Sequence, residues 1–385
     1  MIQRLIYTLL LVLLYAATHA QFAVLSGHDN QNVGRCIYNL ETNTVSFSPY
    51  VDSVNTCGVW FNFGVAGYRK DTTLTFVSQF EKSVYSAIRP AVSFDNIHFS
   101  TIKQSERYNK FMLSIPAPLP DSVFIAAGYP YSYTHLQNFL DSCSNNKFFS
   151  DEVLHTTESG LNVHLLTITS PRHKRKKKLI WILGRQHAFE CVSSYVVEGM
   201  IRYLLSDTCN KKLIDNYIFK IVPMIDVQNV WNGQSGRMSL PVDFNRDWNS
   251  RQREEIRIIE DEIKSTATKY SYNMFWDIHG TFPGGYCGTS FSYFDLYNNG
   301  HKHNDLATYW RFFKHYAHFA PSFIRDSMDT YGGMTSDWWN ELNFPELRFS
   351  TTLEMDWVTS PLGKAYSPKD YLDIGAWMMM ALIHM

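Results

Sequence analysis

After about residue 150 the chain alternates short apolar runs with segments of helical period, and no other feature restricts its fold as much. "VHLLTIT" (163–169), "KLIWILG" (178–184), "YIFKIVPMI" (217–225), "NMFWDIH" (273–279) and "STTLEMDW" (350–357) have strand length and carry β-branched and aromatic residues. Between them Val197, Met200, Ile201, Leu204 and Leu205 recur at helical spacing, as do Ile256, Ile259 and Ile263. Strand–helix alternation returns each strand parallel to a neighbour. The pattern therefore predicts an α/β fold: a mixed, largely parallel sheet with helices on both faces.

The preceding segment has a different texture. "GVWFNFGV" alternates Phe61, Phe63 and Val65, "TTLTFVS" alternates Leu74 and Phe76, and "KFMLSIP" alternates Phe111, Leu113 and Ile115. Period two with short spacers predicts antiparallel strands in an all-β sandwich. A chain of 385 residues, 45% of them hydrophobic, has material for two domains, expected here at 21–148 and 149–385. A net charge of −1 provides no global field for nucleic acid or an anionic membrane, so partners are recognised locally.

Residues 1–20 read as a secretory signal peptide: Arg4, an apolar core from Leu5 to Ala17, then small residues before Gln21. That core is short of the roughly 20 residues needed to span a bilayer, so the mature chain is expected outside the cytoplasm without a transmembrane segment. In an exported chain the six cysteines, Cys36, Cys57, Cys143, Cys191, Cys209 and Cys287, make either up to three disulfides or free buried thiols. None forms a CxxC pair, which argues against a cysteine zinc site. The basic run "RHKRKKK" (172–178) lies between two strands and reads as a solvated connection.

Chemistry is expected beyond the carboxyl ends of the parallel strands. Two H-x-x-E pairs occur, His155/Glu158 and His187/Glu190, and 14 histidines among 36 acids would give roughly one by chance. Position separates them. His187 and Glu190, in "GRQHAFE", leave a buried strand and enter a helix, whereas His155 and Glu158 look like loop polars before a turn. A catalytic zinc needs a third protein ligand and one open position. His279, ending the strand "FWDIH", is the best candidate. In "GRMSLPVDFNRDW" Asp243, Asn245 and Arg246 cluster, and an Asn–Arg pair can grip a carboxylate. Glu354 sits inside an apolar strand, where an acid is costly unless functional, and Thr352 shares its face. A carboxylate there is a candidate general base.

Taken in order, His187, Glu190, Arg237, Asn245, Arg246, His279 and Glu354 resemble the zinc carboxypeptidases of the carboxypeptidase A type. "GVWFNFGVAG", "FIAAGYPYSYTHLQNFL" and "GLNVHLLTIT" are similar to segments of the cytosolic carboxypeptidase branch, which includes the deglutamylases and carries a β-sandwich before its catalytic domain. The resemblance implies one Zn2+ per chain on His187, Glu190 and His279. It gives Glu354 the base role, Arg237 polarisation of the scissile carbonyl, Asn245 and Arg246 the terminal carboxylate, and Asp243 the orientation of His187. Tyr331 is nearest to the family's substrate-capping tyrosine, and Arg348 is a candidate reader of a glutamate side chain. The chain departs from the branch in "HAFE", where H-P-G-E is usual, and in "IDVQNV", where N-P-D-G is usual.

The expected function is that of an exported metallocarboxypeptidase hydrolysing a C-terminal peptide or side-chain-branch amide, with a peptide or protein C-terminus as partner. Two alternatives remain: a zinc amidohydrolase or deacylase acting on cell-wall or acylated amino-acid substrates, and a secreted binding protein with a degenerate site.

Overall fold

The computed structural model describes residues 21–25, 27–54, 57–78, 90–101, 112–171, 176–206, 211–280, 291–294, 300–317, 322–324, 333–355 and 366–385. Tyr331, Cys209, Cys287, the signal segment and most of the basic run lie outside them.

Nine strands come first: β1 (Ala23–Leu25), β2 (Cys36–Asn39), β3 (Thr44–Phe47), β4 (Asn62–Ala66), β5 (Leu74–Ser78), β6 (Ala91–Ser93), β7 (Ser100–Thr101), β8 (Met112–Ile115) and β9 (Ser122–Ala126). They form two sheets, ordered β1-β4-β9-β6-β7 and β2-β3-β5-β8. The alternation expected at Phe63 and Phe76 is the reason they face each other. Phe63 of the first sheet meets Phe47 at 5.0 Å and Phe76 at 6.2 Å, both from the second. One pairing departs from the expected antiparallel rule, since β3 and β5 run parallel. β4 crosses to the opposite sheet between them, so the chain re-enters beside β3 in the same direction.

Helix α1 (Tyr133–Cys143), capped by Ser132 Oγ accepting from the His135 N–H, leads into the second sheet. Its strands are β10 (Phe149–Thr156), β11 (Asn162–Ile168), β12 (Lys178–Gly184), β13 (Tyr217–Val222), β14 (Ser271–Gly280), β15 (Phe291–Phe294), β16 (Ser322–Ile324) and β17 (Phe349–Met355). Their spatial order is β10-β11-β13-β12-β14-β17-β15-β16. The four central strands β13, β12, β14 and β17 are parallel, and antiparallel pairings join them to β11 and β15. This is the mixed, largely parallel sheet expected. The helices are α2 (Cys191–Leu205), α3 (Lys212–Asn216), α4 (Val227–Trp231), α5 (Glu254–Lys269), α6 (Gly300–Ala317), α7 (Ser336–Asn343) and α8 (Pro368–Leu382). They cover both faces: Trp181 Nε1 donates to Thr266 Oγ1 of α5 at 3.1 Å, while Trp276 packs on Tyr309 of α6 with ring centroids 5.2 Å apart. Among the described residues no helix is long and apolar enough to cross a membrane.

Helix α2 is buried almost all round because α8 lies directly on it. Two glycines permit the approach: a Cβ on Gly199 would stand 2.1 Å from the Leu372 carbonyl oxygen, and one on Gly375 would stand 2.0 Å from that of Val196. Both obstacles are backbone, so neither can swing aside. Gly375→Ala should therefore destabilise the chain by about 2–3 kcal/mol, the upper range for overpacking. An unchanged thermal midpoint would show that the helices separate freely.

The sandwich is bonded to the α/β half through the end of α4 and the turn after it. The Asn30 N–H donates to the Trp231 carbonyl at 3.1 Å, Asn30 Nδ2 to that of Val230 at 3.1 Å, and Asn32 Nδ2 to that of Gly233 at 2.7 Å. Asn30 and Asn32 are buried, so each bond is made away from water, where an unmade one costs most.

His155 belongs to edge strand β10 at a bulge rather than to a loop, while Glu158 is in the turn that follows. Cys36, Cys143 and Cys191 are free thiols.

Candidate metal centre

β12 ends at Gly184, and the chain then makes a tight turn before α2. Arg185, fully buried with φ 58°, holds that turn from inside: Nε and Nη2 donate to the Ala188 carbonyl at 2.8 and 2.6 Å, and Nη1 to Ser194 Oγ at 2.9 Å. A left-handed conformation at a non-glycine residue persists only where its surroundings over-determine it, and such residues cluster at functional sites. The turn sets His187 and Glu190 side by side. Glu190 occupies the N-cap of α2 but makes no capping bond with its side chain. Its Oε1 lies 2.9 Å from His187 Nδ1 instead, and its Oε2 lies 2.9 Å from His279 Nδ1 and accepts the Gly280 N–H at 3.1 Å.

His279 comes from the carboxyl end of β14, 89 residues away in sequence from Glu190. One ligand atom from each of His187, Glu190 and His279 lies within 4.8 Å of the others, and all three residues are buried. Each imidazole is held from behind by a carboxylate. Asp243 Oδ1 is 2.9 Å from His187 Nε2, and Asp277 Oδ2 is 2.8 Å from His279 Nε2. Both rings thus turn Nδ1 toward the common centre, the arrangement that fixes tautomer and direction in metal-binding histidines.

Asp277 was not singled out by the sequence. It stands two residues before His279, on the same strand face, and that spacing is the signal that finds it. Gln186 joins the same support: its Nε2 donates to Asp277 Oδ2, and its Oε1 accepts from Trp248 Nε1 at 3.0 Å. Ser336 Oγ also donates to Asp277 Oδ2.

Electrostatics match a cation. Burial works to raise the Glu190 carboxyl, but the charges and hydrogen bonds of His187 and His279 hold it down at about 2. Burial likewise opposes the charge on His187, yet Asp243 and Glu190 raise it to about 9, and Asp277 and Glu190 raise His279 well above its ordinary value. Asp243, despite burial, is kept well below the carboxylate range by His187 and Arg237. Three buried or half-buried carboxylates therefore hold positive charge on two imidazoles. A dication can replace those protons, so the donor set of two nitrogens and one carboxylate fits zinc.

Glu354 lies on β17 in register with His279, so both side chains leave the same sheet face. Its Oε2 is buried with no hydrogen-bond partner among the described residues. Desolvation first, then the Glu190 charge, raises this carboxyl to about 7 against the opposing charges of His279, Arg237 and His187. Thr352, expected on this face, is buried opposite Asp277 in register. Arg237 is half-buried and acts electrostatically on both Asp243 and Glu354.

Asn245 and Arg348 have partners within the chain. Asn245 is buried and turned inward: its Oδ1 accepts the Ser336 N–H at 2.9 Å, and its Nδ2 lies 3.3 Å from His279 Nε2. It stands against the His279 ring, whose Nε2 is already held by Asp277, and half-buried Arg246, whose Nη1 donates to the Asn245 carbonyl at 2.6 Å, is next to it. Arg348 is no reader of a substrate side chain. It makes a fork to Asp305 at 3.0 and 2.7 Å and donates to the Met385 carbonyl, at the opposite end of β17 from Glu354.

Two histidines and a glutamate gathered at the strand ends of a parallel core, beside a glutamate with one unpartnered carboxylate oxygen among the described residues, make a site for a metal and a neighbouring base. Residues 135–271 match that family's sequence profile, Peptidase_M14, zinc carboxypeptidase. The curated relatives the chain matches include cytosolic carboxypeptidases. It is 27% identical over 264 residues to cytosolic carboxypeptidase 3 of Bos taurus, covering 63% of this chain and 26% of that one. With cytosolic carboxypeptidase 6 of Mus musculus it is 30% identical over 212 residues, covering 49% of this chain and 39% of that one. The chain thus spans well under half the length of these relatives. In fold it is similar to a metallo-carboxypeptidase from Burkholderia cenocepacia, with a TM-score of 0.80 at 19% identity over 94% of this chain and 98% of that one. A metallo-carboxypeptidase from Pseudomonas aeruginosa gives 0.79 at 17% identity over 94% and 99%.

Proposed function

We propose that this chain is an exported zinc metallocarboxypeptidase that hydrolyses the C-terminal peptide, or side-chain-branch, amide bond of its substrate. The observation that carries the reading is the unpaired Glu354 Oε2 facing the His187–Glu190–His279 cluster. Export rests on the residues 1–20 pattern.

Zinc on the three ligands would supply Lewis acidity toward a carbonyl oxygen and toward water. The chain's own residues do the rest. Glu354 accepts a proton from the attacking water at Oε2 and passes it to the leaving amide nitrogen. Arg237 offers its guanidinium to the negative charge growing on the carbonyl oxygen. Arg246 holds the terminal carboxylate, and Asp243 and Asp277 keep the imidazoles aligned.

Amidating a peptide's C-terminus should cut kcat/KM by about 2–3 kcal/mol of lost charge-assisted contact, tens to over a hundredfold. Equal rates on free and amidated peptides would move the assignment to the second reading, a zinc amidohydrolase or deacylase. The inward turn of Asn245, which leaves Arg246 to grip the carboxylate without it, favours that reading.

The base must be ionised to act, so activity should rise with pH as Glu354 loses its proton. Its carboxyl stands at about 7 without metal, and a dication pulls it toward the ordinary carboxylate range. The acid limb of kcat/KM should therefore centre at or below about 7. A limb centred above pH 8 would exclude Glu354 as the group responsible.

A further inference from the structure

We propose that the cleft between the sandwich and helices α1 and α2 binds a free α-amino acid with an apolar side chain, at a site separate from the metal centre.

The cleft holds about 620 Å³, within the range of small-ligand sites. Its walls join distant parts of the chain: His28, Asp29 and Asn62 from the sandwich half, Phe139 of α1, and Tyr195 and Arg202 of α2. No described residue of the metal centre lines it. Glu190 stands at the start of α2, and Arg202 lies about 18 Å further along that helix at 1.5 Å per residue.

Two buried atoms of these walls lack partners. Asn62 is 1% exposed, yet its Oδ1 has no hydrogen bond among the described residues. Turning the amide over would not help, because Nδ2 donates to the Asn30 carbonyl at 3.3 Å and a carbonyl only accepts. Oδ1 is therefore an acceptor waiting for a donor. His28 Nε2 is likewise buried and without a partner among the described residues. Burial lowers that imidazole against the Asp29 charge, so the neutral ring can accept as well. Unmade buried bonds of this kind are rare and costly in a folded chain, and a ligand donor would make them.

The same cleft carries a fixed cation. Buried Glu198 accepts from the Tyr131 hydroxyl at 2.8 Å and from Arg202 Nε at 2.6 Å, and its Oε2 is 3.3 Å from His135 Nε2. Burial opposes its charge, but the bonds from His135, Arg202 and Tyr131 hold the carboxyl below its ordinary value. Arg202 also lies over the Phe139 ring, 4.8 Å from the centroid. Its guanidinium is thus held by Nε and by its face, while Nη1 and Nη2 have no hydrogen-bond partner among the described residues. Short contacts tie this cation to the anionic wall: Asp29 Oδ2 accepts the Thr134 N–H at 2.7 Å, and the next residue, His135, is the one that meets Glu198.

The charges select the ligand. An anion alone would meet the Asp29 carboxylate and a cation alone the Arg202 guanidinium, whereas a zwitterion answers both. An ammonium has three donors, enough for Asn62 Oδ1, His28 Nε2 and Asp29, and a carboxylate matches the open Arg202 fork. Ile97, Phe99, Tyr129 and Phe139 line the rest of the cleft and suit an apolar side chain.

The test is calorimetric titration of the zinc-loaded full chain with L-phenylalanine, with L-phenylalaninamide, which lacks the carboxylate, and with N-acetyl-L-phenylalanine, which lacks the ammonium. We expect phenylalanine to bind at least tenfold more tightly than either. Arg202→Gln, at a side chain 55% exposed, should bring phenylalanine down to the affinity of its amide while leaving the amide's own affinity and the zinc content unchanged. Ile97→Ser, at a position 75% exposed, probes the cleft without touching a charge and should weaken phenylalanine at least threefold. Removing zinc with a chelator should change none of these results. Absence of binding at millimolar phenylalanine, or equal affinities for the three compounds, would overturn the proposal. So would binding that survives both substitutions and disappears with the zinc, since the amino acid would then sit at the metal centre. Hydrolysis enters none of these readouts, so the site and the carboxypeptidase reading stand or fall separately.

Discussion

Replacing Glu354 by Gln should leave one equivalent of zinc bound while turnover falls by roughly two to four decades, the usual contribution of a positioned proton acceptor. The amide keeps the shape of the side chain and removes its basicity. Glu354 is not among the three clustered donors, so the metal should be indifferent to the change. Stoichiometric zinc by elemental analysis, beside a lost rate, is the expected pair of results. A variant retaining most of its activity would remove Glu354 from the chemistry.

His187→Ala should do the opposite and lose the metal. It deletes one of three ligands and leaves Glu190 and Asp243 facing each other with one positive partner fewer. Because His187 and His279 are held protonated without metal, zinc uptake must release protons. Zinc affinity should accordingly weaken as pH falls below about 9, and calorimetry in buffers of different ionisation enthalpy reads the release. His155→Ala is the control, since that histidine lies on the far edge strand β10 and should keep both zinc and activity. If His155→Ala loses zinc while His187→Ala retains it, the site is elsewhere.

The elements that carry the site were legible because their signals are local. β12 occupies 178–184, the span of its apolar run, and the Ile256, Ile259 and Ile263 stripe is the buried face of α5. His187, Glu190, His279 and Glu354 could be placed because each sits at the carboxyl end of such a run. What escaped depends on contacts between distant segments. The parallel β3–β5 pairing follows from β4 crossing to the other sheet, which no period encodes. β10 is exposed along most of its length, so it carries no apolar alternation, and His155 read as loop. The inward turn of Asn245 is set by the Ser336 N–H, 91 residues away. Arg348 was misplaced for the same reason, since its partner Asp305 lies 43 residues upstream.

The bonds from Asn30 and Asn32 into the turn after α4 have a consequence for how the molecule can come apart. That turn leads directly into Arg237 and the Asp243 support of His187, so the sandwich forms one wall of the segment behind the metal centre. Trp60 strengthens the joint by donating its Nε1 to the Asn30 carbonyl at 3.0 Å from within the sandwich core. A protease cut near residue 148 should therefore leave two fragments that stay associated and sediment as one particle. The catalytic half made alone would expose the donors and acceptors those asparagines now satisfy, and the loop bearing Arg237 would lose the brace that sets its position.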